Sequence, residues 1–172
     1  MRFVLILAFL LSLATAGRAE VSSPGAVFFD YGYFCEVETI EQQEAEGTLS
    51  GVVNLVAEPP DFLRQTTIIP AQIGVGFGVH LMVTPEFAGL VTVQTTHPPM
   101  GPDGITVETW ETEFETDDLS YNGFTFEYEY ELVKGPWTLS ASANGRLIYS
   151  VDFEVVDQRF LPPVNCAGGL LS

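Results

Sequence analysis

Along most of the chain, apolar and polar residues alternate one by one, the period of strands with one buried and one wet face. The alternation is strictest from Tyr121 to Leu132. There Phe124, Phe126, Tyr128, Tyr130 and Leu132 share one parity, and Thr125, Glu127, Glu129 and Glu131 the other. Trp137, Leu139, Ala141 and Ala143 repeat it, and Leu147, Tyr149, Val151, Phe153 and Val155 return beyond Asn144-Gly145. Asn-Gly between alternating runs signals a hairpin, because both central residues of the tight turn need positive φ. Residues 121–156 are therefore expected as three consecutive antiparallel strands, with the first reversal at Gly135-Pro136.

Upstream, strands are expected at Ala26 to Val37, Ser50 to Glu58 and Gln65 to Ile69. Ile73 to Val83 and Gly89 to His97 read as a hairpin turning at residues 84–88, and Ile105 to Glu115 follows the turn-rich segment 98–104. In that last strand Ile105 and Val107 oppose Trp110 and Phe114 in parity, which a bulge near Glu108 or Thr109 would reconcile. Ile40 to Ala45, short and acidic, reads as loop with at most one helical turn. Eight or nine short strands parted by Gly and Pro turns make an all-β chain: an immunoglobulin-like antiparallel β-sandwich, with a closed barrel as the alternative.

The N-terminus breaks the pattern. Met1-Arg2, the apolar run Phe3 to Leu13 and the small residues Ala14 to Ala19 have the order of a cleavable signal peptide, residues 1–19. The apolar run falls short of the roughly 20 residues of a stable membrane span. Cleavage is expected after Ala19, or alternatively after Ala16, and no Cys follows to carry a lipid. Residues 20–157 are then the sandwich domain and 158–172 a tail tethered by Cys166. Loss of Arg2 and Arg18 moves the formal charge from −17 to −19, with 4 bases against 23 acids. Such a surface lacks the clustered Lys and Arg that nucleic acid or anionic lipid requires. In an exported chain, Cys35 and Cys166 are expected to form one disulfide. It would close a loop of about 130 residues, worth up to about 4–5 kcal/mol in the chain-entropy model. The pair lacks the Cys-x-x-Cys spacing of a redox site.

Several segments resemble a known family: Phe29-Asp30-Tyr31-Gly32-Tyr33-Phe34-Cys35, Phe77-Gly78, and Thr96-His97-Pro98-Pro99-Met100. Glu131-Leu132-Val133-Lys134-Gly135-Pro136-Trp137 and Phe153-Glu154-Val155-Val156 complete the set. Together, over about residues 26 to 157, they resemble a bacterial exported family described only as a domain of unknown function. The resemblance implies a sandwich and an exported address. It implies no activity and no functional residue.

No catalytic constellation stands out. His80 and His97 are the only histidines, and no nucleophile-elbow motif accompanies them. No enzyme activity and no cofactor are expected. His80 with Met82 and His97 with Met100 offer imidazole and thioether, ligands that suit copper. In the hairpin register expected above, however, the two histidines lie about 17 Å apart on opposite faces. The ladders Glu111, Glu113, Glu115 and Glu127, Glu129, Glu131, with Asp117-Asp118 between them, would suit calcium if their strands pair. The plainer reading is a pair of solvated outer faces. The better candidate for binding is the wet face of the glycine-rich strand, with Gly74, Gly76, Gly78, His80 and Met82, together with His97 in its rigid turn. Glycines in register leave a strip where another backbone can approach, unless the protein's own chain covers it. The expectation is a periplasmic or secreted, non-catalytic binding or structural module whose partner is an envelope protein or peptide. The alternative is a metal-binding envelope protein, with calcium ahead of copper.

Overall fold

The computed structural model describes residues 19–166, so residues 1–18 of the expected signal peptide and 167–172 of the expected tail lie outside it. Two sheets face each other as a sandwich. The larger runs in the order β1 (Val21–Ser22), β11 (Arg146–Asp157), β10 (Gly135–Ala143), β7 (Gly89–Met100) and β8 (Ile105–Phe114). β5 (Ile68–Ala71) joins it alongside the end of β11, the one parallel pairing among the described strands. The smaller sheet runs β2 (Ala26–Cys35), β6 (Val75–Val83) and β9 (Ser120–Thr125), while β3 (Thr39–Glu44) and β4 (Val52–Val56) form a separate hairpin.

The core follows the alternation. Val75, Phe77, Val79, Leu81 and Val83 of β6 all point inward and are buried, as are Trp137, Leu139 and Ala141 of β10 opposite them. Phe77 meets Trp137 edge-on with ring centroids 5.5 Å apart, a preferred aromatic arrangement. The expected hairpin at Asn144-Gly145 is present, with φ of 51° and 74°. Just beyond it, Ile148 is an extra residue opposite the Ala141–Ser142 step. This bulge turns Leu147 outward and Ile148 into the core.

Four expectations need correction. β6 and β7 do not pair: the 3₁₀ turn Pro85–Phe87 carries the chain from one sheet to the other, burying Phe87 between them. Segment 39–44 is a strand, not a loop. No bulge interrupts β8 near Glu108, because its register with β7 is continuous from Thr96↔Val107 to Gly89↔Phe114. Val107 simply faces out, and the inner face carries Glu108, Trp110, Thr112 and Phe114.

The fourth concerns the strictest alternation. Its strand ends at Thr125, pairs only with β6 and belongs to the other sheet from β10, so Gly135-Pro136 opens a strand and is no hairpin reversal. Beyond Thr125 the buried Glu131 carboxylate accepts hydrogen bonds from the backbone N–H of Glu127 (2.6 Å) and Tyr128 (2.9 Å). Those donors serve a local turn instead of a neighbouring strand, as in a capping box. Tyr128 and Tyr130, placed by parity on the core face, are exposed and stack on each other at 5.4 Å.

Candidate functional site

The glycine strip is filled from within. Gly32, Gly78 and Gly123 lie side by side across β2, β6 and β9. A Cβ on Gly78 would stand 2.3 Å from the Asn122 carbonyl oxygen, and one on Gly32 2.2 Å from that of Arg64. Leu63 and Arg64 hydrogen-bond to the backbone of Tyr33, which brings Phe62 over the strip to stack on His80 at 4.2 Å. Phe34 covers Gly76 and meets Tyr121 edge-on. Burial pushes the Tyr121 phenol far above its ordinary range and lowers His80 against the pull of Asp30 and Asp61. The covering chain is the 60s segment, and the strip is closed to a partner. Gly74 lies outside it, in a turn with φ of 78°.

His97 is elsewhere, wholly buried on the larger sheet's inner side against Trp137. Its Nδ1 lies 2.8 Å from the Pro98 carbonyl oxygen, which can only accept, so Nδ1 carries a proton. Its Nε2 lies 3.3 Å from Glu108 Oε1, and the other carboxylate oxygen accepts from the Leu49 N–H at 2.6 Å. Glu108 therefore ties the tip of the β3–β4 hairpin to β8, while His97 Nε2 and Glu108 Oε1, though close, make no hydrogen bond. Nothing in the sequence marked Glu108 as inward, because a glutamate in an alternating strand reads as its wet face.

On the side of the sandwich where β8 and β9 form the sheet margins, the hairpin bridges the opening and leaves a cleft of about 690 Å³. That is within the usual range for ligand sites. Its floor is the inner face of the larger sheet, at Val93, Thr95, Trp110 and Thr112. One wall is β9, all of Tyr121 to Thr125; the other is the hairpin, all of Val52 to Ala57. Asn54 Nδ2 reaches across to Glu127 Oε1 at 2.6 Å.

The cleft is acidic. Glu36, Glu108, Asp118, Glu127 and Glu131 line it, with no Lys or Arg among the lining residues. Burial, and then the neighbouring Glu36, push the Glu127 carboxyl above its ordinary range, while the Asn54 bond opposes them. Burial likewise raises Glu131 against its two backbone donors.

The structure does not bring the other sequence candidates together. The two glutamate ladders are not on paired strands: Glu111 and Glu113 are on β8, while Glu127, Glu129 and Glu131 follow β9 in the other sheet. Among the described residues, no group of three or more His, Cys, Asp or Glu could hold a metal ion. Met82 and His80 are on the smaller sheet, while His97 and Met100 are on the larger. Cys35 and Cys166 are bonded, with Cα atoms 5.3 Å apart. No helix among the described residues is long and apolar enough to cross a membrane.

The family model described as Domain of unknown function (DUF3859) matches residues 22–155. An immunoglobulin-like protein from Pseudomonas aeruginosa, known from its crystal structure, has a similar fold, with a TM-score of 0.51 and 21% identity. The match covers 81% of this chain and 98% of that one. No curated protein matches the chain.

Proposed function

The chain belongs to the DUF3859 family, whose description assigns no activity, and we propose from the molecule's own geometry that it is an exported, non-catalytic ligand-binding module. The observation that carries this reading is the cleft at the β8 and β9 margins: about 690 Å³, floored by aromatic and polar side chains and partly roofed by a hairpin. Against catalysis stands the buried His97–Glu108 contact: the His97 side chain is fully enclosed and is not among the residues lining the cleft. The disulfide, the acidic surface and the apolar N-terminal run support a periplasmic or secreted location. Intact mass of the protein recovered from its own cells tests this: cleavage after Ala19 or Ala16 is expected, and an uncleaved chain would overturn it.

The two tryptophans test the cleft. Trp137 is wholly buried in the core, whereas Trp110 is only partly buried and lines the cleft. Acrylamide should quench Trp110 alone, and a bound ligand should protect it. A panel of amines, sugars and short peptides, screened this way and by amide shifts, should yield ligands whose effects cluster on cleft residues. Thr112→Arg, which fills the cleft, should abolish them. Effects that scatter over the surface, or that survive Thr112→Arg, would overturn the reading.

A further inference from the structure

We propose that the cleft takes an extended, basic segment of a partner polypeptide, which adds to the free margin of β9 as a further strand; this rests on reading the cleft as a binding site. A wall made of side chains shows every second residue of a strand, as Trp110 and Thr112 of β8 do here. β9 instead presents five consecutive residues, Tyr121 to Thr125, so its backbone itself faces the cleft. β9 pairs only with β6, and β4, across the cleft, pairs only with β3. The Phe126 N–H bonds to the Val75 carbonyl on β6, and the Phe126 carbonyl accepts from the Gly74 N–H. By alternation, Tyr121, Gly123 and Thr125 turn their N–H and C=O groups the other way, into the cleft. An unpaired row of this kind is a template for strand addition.

Charge selects the occupant. Five carboxylate residues line the cleft, and none of Arg64, Lys134, Arg146 and Arg159 does. Trp110, Phe124 and Tyr128 add aromatic surface on which ammonium or guanidinium groups are attracted. A small amine would answer the charge but leave the five-residue backbone margin unused. An extended basic peptide answers both.

The test titrates ¹⁵N-labelled protein with an acetylated, amidated heptapeptide of alternating Lys and Val. Its controls are a Glu/Val analogue, two analogues methylated on alternate backbone nitrogens, one in each phase, and cadaverine. The Lys/Val peptide should shift the amides of Tyr121, Gly123 and Thr125 and slow their exchange. Methylation in one phase should weaken binding at least about tenfold, since several backbone hydrogen bonds are lost at once. Glu127→Gln should weaken it about three- to tenfold, and the Glu/Val peptide should not bind. Equal binding by both methylated peptides, or cadaverine matching the heptapeptide, overturns strand addition but leaves a ligand-binding cleft. No response to the heptapeptide also overturns the inference, and the binding reading falls with it only if no probe of the wider panel perturbs Trp110.

Discussion

Two strands, β8 and β9, end the two sheets on the same side of the molecule, and the protein treats them differently. β8 is closed by its own chain: the Thr109 N–H bonds to the Gly47 carbonyl, Gln43 reaches the Glu111 carbonyl, and Leu49 is held by Glu108. β9, across the cleft from the same hairpin, receives one side-chain link, Asn54 to Glu127, just beyond its end. An exposed strand margin invites unwanted pairing, and proteins usually cover it. Here the hairpin bonds to β8 and leaves the margin of β9 unpaired. The proposed strand addition rests on this difference.

Breaking the closed side should have the largest effect. Glu108→Ala leaves His97 buried beside an empty position and frees the Leu49 N–H. We expect a loss of about 2–3 kcal/mol in denaturant unfolding, because a part-buried donor to a carboxylate is left without its partner, with amide protection lost first over residues 45–51. Retained protection there would mean Glu108 does not hold the hairpin. Gly123→Ala probes the open side. Its Cβ would stand 2.8 Å from the Phe77 carbonyl oxygen and 2.4 Å from the Tyr121 hydroxyl. Overpacking of this kind costs about 1–3 kcal/mol, and it should distort β9 while leaving the hairpin docked on β8, as amide shifts would report.

Titration sharpens the contrast further. Glu127 and Glu131 are both raised in the folded state, mainly by burial. A carboxyl raised on folding binds its proton more tightly when folded. Its contribution is therefore fully present below the ordinary value near 4.5 and is lost as pH rises through the raised one. Stability of the β9 side should fall across that window in the wild type and fall less in Glu127→Gln. A wild-type profile identical to that of the variant would sink the assignment. The smallest effect is expected from Gln43→Ala, which removes one exposed hydrogen bond to β8: at most about 1 kcal/mol, seen as faster exchange confined to β3 and β4.

What was legible in the sequence was what local pattern controls. The parity of β6, the Asn144-Gly145 turn and the sandwich class follow from period two and turn chemistry within a dozen residues. Partners were not legible. Ile73–Val83 and Gly89–His97 look like a hairpin because nothing in their alternation says that Phe87 is needed between two sheets. Glu131 looked like a wet-face residue because a carboxylate that folds back on its own backbone keeps the same parity as one that faces water. The glycine strip was visible, but its cover was not, since Phe62 arrives from a segment with no regular pattern. The cleft is set by the relative position of β8, β9 and a hairpin from far upstream. No single stretch of sequence carries it.

The Cys35–Cys166 bond gains a meaning from this layout. In the smaller sheet β2 is two strands removed from β9, and the tail that carries Cys166 leaves β11, on the far side of the larger sheet from β8. The bond therefore works like a stitch, tying the chain that leaves one sheet to the end of a strand in the other, beside Phe34 and Glu36 of the cleft. Reduction should leave the hairpin's bonds to β8 intact and loosen the end of β2 next to the cleft.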